Sequence, residues 1–294
     1  MKENRYWVLL FLTCFSITAQ IKGFVVDDKN QAIPYVNIWV ENKNIGTTSE
    51  VNGSFSITVE DQNKVLVLSA LGFETKKVKV SEAKKVVLKR IIFQLDEVVI
   101  SKSKKEITRL IGDSKSTSAI TISGRAPWIY AKLFKYEIDY LKTPYIKNVI
   151  IYTYSDIKNA SFKLRVYKVK EDGLPGEDFI KEDIVVFVKK GTKKNIIELS
   201  KYNLEIPKEG IFVAFEWMLI ENNKIEFKYN NQGLKKTIKD FEYAPSLVFN
   251  YKDRDLTVTY SNGGWNKRPK INFEENKSVR GTVIEPAINL TLTN

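Results

Sequence analysis

The 294-residue chain contains no histidine and only one cysteine, Cys14. Without histidine it cannot build the Ser-His-Asp or Cys-His systems that activate a nucleophile, nor a zinc site made of two histidines and a glutamate. Because Cys14 lies in the first apolar segment, the rest of the chain has neither a disulfide nor a thiol. These absences favour binding over catalysis. We predict no catalytic residue, no cofactor and no metal site.

Long apolar runs are scarce as well. Residues 1–19 combine Lys2 and Arg5 with an apolar run at 7–17 that ends near Ala19, which is typical of a cleaved secretory signal. The run is too short to span a bilayer comfortably, and no later run approaches the ~20 residues that a membrane helix needs. We therefore predict an exported protein without a transmembrane segment in the mature chain.

The composition also suggests a compartment. Exported domains of eukaryotes tend to carry disulfides, so a mature chain without cysteine indicates the envelope of a Gram-negative bacterium: the periplasm, the outer membrane or the cell surface. The formal net charge is +12, but lysines and arginines are scattered among acidic residues throughout the chain. Such a pattern is typical of solvated faces, and we predict no nucleic-acid partner.

Two different β-rich regions follow the signal. Residues 20–100 contain short, alternating, β-branched runs separated by turn residues, which predict a small all-β sandwich. Residues 101–118 are rich in serine and lysine and predict a linker. From 119 to 294 about ten longer strands without an amphipathic helix predict a larger, jelly-roll-like antiparallel β-sandwich.

The first region resembles a known family. The segments GFVVDDKNQAIPYVNIWV, GTTSEVNGSFSI, SALGFET and LDEVVI follow, in order and spacing, the carboxypeptidase regulatory-like module, which is also found at the N-terminus of TonB-dependent outer-membrane transporters. The resemblance covers residues 21–100. It implies a transthyretin-like, seven-stranded fold that serves as a scaffold or docking module and implies no catalysis. The remaining residues are too few for a 22-stranded barrel, which needs about 220 residues in strands alone.

The stretch GTTSEVNGSFSI, residues 46–57, has the polar composition of a ligand loop but the pattern of a turn between strands. We predict a hairpin with Asn52 and Gly53 in the turn, Gly53 having a positive φ that a side chain disfavours. Strand alternation then directs Phe55 and Ile57 into the core and the intervening serines outward.

Aromatic residues provide the candidate binding site. Trp265 follows the flexible stretch SNGG, and Trp128 lies among tyrosines. Aromatic side chains displayed on β-sandwich loops form platforms for sugar rings, although packing in a core or at an edge is the commoner role. We predict envelope glycans as a ligand, with Trp265 as the stronger candidate and Trp128 as the second.

An enzymatic alternative rests on EIDYLK, residues 137–142. The segment resembles the E-x-D-x-x-E signature of retaining jelly-roll glycosidases, in which two carboxyl groups lie about 5 Å apart. Glu137 and Asp139 match, but Lys142 occupies the position of the proton donor. A glycan hydrolase that uses Glu137 and a second carboxylate elsewhere therefore remains an alternative.

Two further acidic features have ordinary explanations beside functional ones. Glu216, in the most apolar strand, is either a general acid or a residue that faces solvent or pairs with a lysine. Asp172, Glu177 and Asp178 form an acidic loop that is either a weak calcium site or a solvated turn. The resulting prediction is a non-catalytic binding, adhesion or assembly module, with a structural partner of an outer-membrane transport complex as the second alternative.

Overall fold

A computed structural model of the chain describes residues 19–91, 107–116, 119–231, 236–270 and 281–294. The predicted signal peptide, except for Ala19, and the LDEVVI motif at 95–100 lie outside the described residues. The described part of the chain is almost all β, and its helical elements are short 3-10 turns of three to five residues. It contains no helix that is long and apolar enough to cross a membrane.

The N-terminal domain is a sandwich of seven strands. They are β1 Ala19–Val26, β2 Asn37–Val40, β3 Gly46–Thr48, β4 Ser54–Val59, β5 Val65–Ser69, β6 Lys76–Lys79 and β7 Lys85–Val87. One sheet has the order β4-β1-β7, in which β1 and β7 are parallel, and the other has the order β3-β2-β5-β6. The number of strands agrees with the seven-stranded fold that the family resemblance implies.

Alternation builds the core of this domain. Phe55, Ile57 and Val59 of β4 are each only 4% exposed. Ser54 and Ser56, which alternate with them, are half-buried on the other face. Burying a large apolar side chain contributes about 1.5–3 kcal/mol, so this inward row, with its counterparts on the other strands, holds the two sheets together.

The polar stretch at 46–57 is a corner between the two sheets. Gly53 has a φ of +77°, and its N–H donates to the carbonyl of Glu50 at 2.9 Å, which closes the turn. However, β3 pairs with β2, and β4 pairs with β1. The prediction of a hairpin is therefore wrong, because the flanking strands lie in different sheets. A local turn signal gives the reversal of the chain but not the partner of each strand.

The C-terminal domain has fifteen strands among the described residues. They are β8 Thr108–Ile111, β9 Ala119–Gly124, β10 Ile129–Phe134, β11 Tyr145–Ser155, β12 Ala160–Val169, β13 Pro175–Asp178, β14 Ile184–Val188, β15 Gly191–Glu198, β16 Ile211–Trp217, β17 Lys224–Asn231, β18 Lys236–Lys252, β19 Thr257–Ser261, β20 Gly264–Lys267, β21 Val283–Pro286 and β22 Ile288–Thr293.

Two antiparallel sheets face each other across the main core of this domain. The seven-stranded sheet has the order β13-β12-β16-β10-β19-β20, with β14 also paired to β12. The eight-stranded sheet has the order β17-β18-β11-β22-β8, with β15 on β11 and with β9 and β21 on β18. Phe162, Phe215 and Phe249 are completely buried between the sheets. The fold class of a small sandwich followed by a larger jelly-roll-like sandwich is confirmed.

The number of strands in the second region differs from the prediction. From residue 119 onward the described residues form fourteen strands, β9 to β22, where the sequence predicted about ten. Short strands such as β13, with the sequence PGED, and β20, with the sequence GWNK, lack the apolar alternation on which such a prediction depends. Their strand conformation comes from pairing with neighbours.

The sequence predicted a linker at 101–118, and the structure describes residues 107–116 of it. For these residues the prediction is wrong. Strand β8 pairs with β22 at the edge of the eight-stranded sheet, and its last residue, Ile111, is buried. The backbone N–H of Ser114 then donates to Asn289 Oδ1 at 2.9 Å. This segment belongs to the C-terminal domain. Its partner strand lies about 180 residues later in the chain, so local composition cannot reveal the pairing.

Candidate functional site

The two domains are joined by hydrogen bonds. Leu219 N donates to Thr48 Oγ1 at 3.0 Å, and its carbonyl accepts from Thr47 Oγ1 at 3.3 Å. Lys163 Nζ, from the C-terminal domain, donates to the carbonyl of Tyr35 at 2.7 Å. These contacts hold the four-stranded sheet of the N-terminal domain against the outer face of the seven-stranded sheet.

A row of side chains crosses that outer face. Residues in register on the neighbouring strands β12, β16, β10, β19 and β20 are Lys163, Glu216, Ile129, Tyr260 and Trp265. Neighbouring strands lie about 4.8 Å apart, so the side chains of such a row are adjacent. Pairing in the sheet therefore brings a buried carboxylate and two aromatic side chains to one surface, although they are far apart in sequence.

The N-terminal domain completes an aromatic cluster. The ring of Trp39 lies 6.3 Å from that of Tyr260, and Trp265 lies 5.4 Å from both Tyr260 and Tyr167. All three pairs meet edge to face, the geometry that the quadrupoles of aromatic rings favour. These four residues line a cavity of about 180 Å³ together with Asn37, Ser69, Ile129, Arg165 and Glu216. The cavity is therefore built by both domains.

An ion cluster forms the polar wall of the cavity. Glu216, whose side chain is 3% exposed, accepts from Arg165 Nη1 at 3.2 Å and from Asn37 Nδ2. Arg165 also contacts Asp178 Oδ1, through Nη2 at 2.6 Å and Nε at 2.7 Å, and Asp183 Oδ1 at 3.9 Å. The sequence left three roles open for Glu216, which are a general acid, a solvent-facing residue and the partner of a lysine, and the last two are wrong. Glu216 is instead buried against an arginine, since β12 and β16 pair antiparallel.

Burial and charge fix the protonation states here. Burial lowers the pKa of Arg165, but Tyr167, Glu216 and Asp178 raise it by more, so the guanidinium stays charged. Burial also raises the pKa of the Tyr167 hydroxyl, which remains neutral. Burial raises the pKa of Asp178, and Arg165 offsets only part of that shift. At neutral pH the cavity thus presents a charged arginine and neutral phenols.

The two predicted tryptophans lie in different places. Trp265 lines the cavity between the domains. Trp128 is half-buried and packs against the main core, and its carbonyl accepts from Trp217 N at 3.5 Å. It does not line the cavity, so the structure gives these two residues no shared surface.

Sequence reasoning missed the partners of Trp265. Trp39 was part of a predicted strand. In β2, Ile38 and Val40 are buried, whereas Asn37 and Trp39 on the other face are half-buried. No local signal links Trp39 to Tyr260, because they lie in different domains. Arg165, which organises the carboxylates, is one of many basic residues in the sequence.

The glycosidase-like segment has a different geometry from the signature that it resembles. Glu137 precedes a 3-10 turn at Ile138–Lys142 and is exposed, and Asp139 contacts Arg109 Nη2 at 3.4 Å. Two carboxylates at i and i+2 share one face only on a strand. Glu137 and Asp139 are therefore not presented together as the signature requires.

The acidic loop is satisfied by cations of the chain itself. Asp172 contacts Lys170 Nζ at 2.9 Å, Glu177 contacts Lys181 Nζ at 3.2 Å, and Asp178 contacts Arg165. Among the residues described by the structure, no cluster of three or more histidine, cysteine or acidic side chains could hold a metal ion. These carboxylates are thus explained by ion pairs.

Residues 21–100 match the family model of the CarboxypepD_reg-like domain. The N-terminal domain is a CarboxypepD_reg-like domain. The resemblance that its sequence segments showed is thereby confirmed, and the match leaves the C-terminal domain unassigned. No curated protein matches the chain. The CarboxypepD_reg-like domain supplies Asn37, Trp39 and Ser69 to the cavity.

Solved structures show only distant similarity. A DUF3823 family protein from Bacteroides ovatus is 12% identical, with 79% of this chain and 97% of that chain covered and a TM-score of 0.20. A chain of infectious bursal disease virus, Gx strain, is 9% identical over 94% of this chain and 59% of its own, with a TM-score of 0.25. The VP2 subviral particle of infectious bursal disease virus gives 12% identity, coverages of 89% and 57%, and a TM-score of 0.23. The chain spans less than two thirds of these viral chains.

Proposed function

We propose that the protein is a non-catalytic glycan-binding module of the Gram-negative cell envelope and that its ligand binds in the cavity between the two domains. The observation that carries the proposal is that Trp39 and Trp265, from different domains, line one cavity whose polar wall is the Arg165–Glu216 pair. Aromatic faces combined with a few fixed polar groups are what a sugar ring requires, since it has apolar C–H faces and an equator of hydroxyls.

The size of the cavity indicates how much of a glycan it takes. A volume of about 180 Å³ corresponds to about six water molecules at about 30 Å³ each. This is room for a single sugar ring and too little for an oligosaccharide. We therefore expect recognition of one residue, at a chain end or on a branch.

The charges in the cavity favour a neutral sugar. Arg165 and Glu216 neutralise each other, and the remaining donors of Arg165 point to Asp178. An anionic sugar finds no uncommitted cation among these lining residues, and a cationic sugar has to compete with Arg165 for Glu216. Asn37, Ser69 and the tyrosine hydroxyls are uncharged donors and acceptors suited to sugar hydroxyls.

The same geometry supports binding without turnover. Glycoside hydrolysis in most families needs two carboxyl groups on opposite sides of the scissile bond. Glu216 is the acidic residue among those that line the cavity, and Arg165 and Asn37 occupy its oxygens. Both carboxylate oxygens of Glu216 are thus committed to hydrogen bonds within the chain.

Export is part of the proposal. The CarboxypepD_reg-like domain is typical of exported proteins, and a basic residue pair followed by an apolar run at 7–17 has the pattern of a secretory signal. Processing near Ala19 can be tested by sequencing the N-terminus of the protein recovered from a periplasmic or envelope fraction.

A glycan array probed with the purified protein tests the proposed function. We expect retention of neutral glycans that persists at high salt, because the cavity offers stacking and neutral hydrogen bonds rather than net charge. Trp265→Ala should weaken binding by about tenfold, or about 1.4 kcal/mol. Tyr229→Ala is the matched control, since Tyr229 is an exposed aromatic residue of strand β17 that does not line the cavity.

Two results would count against this function. One is binding only to anionic glycans that disappears as salt rises, because that is the behaviour of a basic surface. The other is full binding by the Trp265→Ala protein.

A further inference from the structure

A second and larger groove lies between the domains. It has a volume of about 680 Å³ and is bounded by β4 and the outer face of β1 on one side. On the other side it is bounded by the base of the β17–β18 hairpin, including Lys224, Phe241 and Tyr243, and by Arg125. The residues that line it differ completely from those of the aromatic cavity.

Strand β4 presents an unpaired edge to this groove. It is the last strand of its sheet, with β1 as its partner. Val25 N donates to the carbonyl of Gly53 at 2.8 Å, which fixes the alternation of hydrogen-bonded pairs along the two strands. It follows that the backbone N–H and C=O groups of Ser56 and Thr58 point away from β1. A row of this kind is a template for pairing with another extended chain.

The side chains beside this edge leave room for a ligand. Ser54, Ser56 and Thr58 line the groove from the outer face of β4, and all three are short. Ser56 Oγ is shielded from solvent and has no hydrogen-bond partner among the described residues. Phe24, on the adjacent strand, is 53% exposed and lines the same groove. The groove therefore offers an apolar contact next to the unpaired backbone.

Charge indicates what the ligand carries. Arg125 contacts Asp240 at 2.8 Å, and Lys224 contacts Glu226 at 3.0 Å and Glu221 at 3.6 Å. Glu50, which also lines the groove, accepts from the backbone N–H of Glu221 at 2.9 Å. Lys22, which lies opposite Ser56 on β1, is exposed and has no ion-pair partner within the described part of the chain. Because Ser56 is short, the ammonium of Lys22 can reach across it toward the edge. An acidic side chain on an added strand is complementary to this cation.

We propose that the edge of β4 binds an extended, acidic peptide segment of a partner protein by strand addition. Main-chain hydrogen bonds to Ser56 and Thr58 supply the affinity, and Lys22 and Phe24 select the side chains that alternate along the peptide. Phe241 and Tyr243 line the opposite wall, so the added strand lies between them and the edge of β4. This site is independent of glycan binding in the aromatic cavity.

Fluorescence anisotropy with three labelled nonapeptides tests the proposal on the whole protein. The first alternates threonine and valine around a central glutamate, the second has lysine at the centre, and the third is the glutamate peptide with every second amide N-methylated. We expect the glutamate peptide to bind at least about tenfold more tightly than the other two, a difference of about 1.4 kcal/mol. Failure of the glutamate peptide to bind, or equal binding of all three, overturns the proposal.

Variants locate the site. Ser56→Pro removes the outward N–H at an edge position where proline is tolerated, and Ser56→Thr is its matched control. We expect the first to lose about tenfold in affinity for the glutamate peptide and the second to stay within about twofold. Lys22→Glu should reverse the preference to the lysine peptide, which keeps the test valid if the proline variant unfolds. Unchanged selectivity in Lys22→Glu contradicts the site.

The Trp265→Ala protein separates the two binding sites. It should bind the glutamate peptide as tightly as the unaltered protein does, and Ser56→Pro should bind glycans normally. If glycans rather than peptides are lost in Ser56→Pro, the groove is a sugar site and strand addition is wrong.

Discussion

Two buried ion clusters share the seven-stranded sheet of the C-terminal domain, and they differ in what surrounds them. Lys132 of β10 points into the main core and contacts Glu285 at 2.8 Å, Ser114 Oγ at 3.0 Å and the carbonyl of Ile288 at 2.8 Å. All three of its donors are used inside the sandwich. Arg165 and Glu216 lie on the opposite face, beside a cavity with aromatic walls. Similar charges thus serve cohesion where they are sealed, and we propose that they serve recognition where a cavity reaches them.

The sealed cluster should dominate stability. Lys132→Met leaves Glu285 buried with Arg254 as its remaining cation, and breaking a buried pair typically costs about 3–5 kcal/mol. Urea unfolding should show a loss of this size. The double variant with Glu285→Leu removes the buried carboxylate as well and should recover much of the loss. A loss of less than about 1 kcal/mol in the single variant would show that Arg254 alone is enough to hold Glu285 in the core.

The open cluster should affect binding as well as stability. In Glu216→Gln, Arg165 keeps Asp178 as a partner, so the loss should be about 1.5–3 kcal/mol, the value of a hydrogen bond to a charged group. Glycan affinity should fall by about tenfold, because the amide no longer fixes the Arg165 guanidinium and Asn37 in position. Glu285→Gln is the control. It should lower stability and leave glycan affinity unchanged. Comparable effects of the two variants on glycan affinity would remove the distinction between the clusters.

Acid should act in opposite directions on one aspartate beside each cluster, and we expect this to be the smallest of the three effects. Asp113 is exposed and contacts Arg254, which also holds Glu285, whereas Asp178 contacts Arg165. Lys252 and Arg254 lower the pKa of Asp113 from 3.8 to about 2 against the opposing effect of burial, so its contribution is present above about pH 4 and is lost as pH falls toward 2. Burial raises the pKa of Asp178, so the folded state binds that proton more tightly and gains stability as pH falls through this pKa.

Thermal unfolding between pH 2 and pH 6 measures these contributions. Compared with the unaltered protein, Asp113→Asn should lose less stability on acidification and Asp178→Asn should lose more. The assignment fails if both substitutions change the pH dependence in the same direction.

The features that the sequence predicted are local. Phe55 and Ile57 are buried because alternation on one strand decides their face, and Gly53 has a positive φ because a tight turn needs it. Those that it missed depend on distant pairing. Strand β8 has no apolar alternation and is a strand because it pairs with β22. The corner at 50–53 has the sequence of a hairpin turn, but β3 and β4 pair with different strands.

The candidate site shows the same division. Trp265 could be singled out because it follows the stretch SNGG, which is a property of its own segment. The expected flexible loop is wrong, because Asn262 and Gly263 form a tight turn with positive φ and Trp265 lies in strand β20. Its contacts with Tyr167, Tyr260 and, through Tyr260, Trp39 arise from strand order and from the packing of one domain on the other. Trp128, chosen on the same sequence grounds, packs against the core. Composition can identify aromatic candidates, but only tertiary structure decides which of them share a cavity.

Calorimetric titration of the preferred neutral glycan into Trp39→Ala and Trp265→Ala proteins tests most directly whether the binding site is shared by both domains. Trp39 belongs to the CarboxypepD_reg-like domain and Trp265 to the C-terminal sandwich, and both line the one cavity. Each variant should lose about tenfold in affinity while remaining folded. Unchanged affinity in Trp39→Ala together with a loss in Trp265→Ala would place the site in the C-terminal domain alone and contradict a cavity built by the two domains.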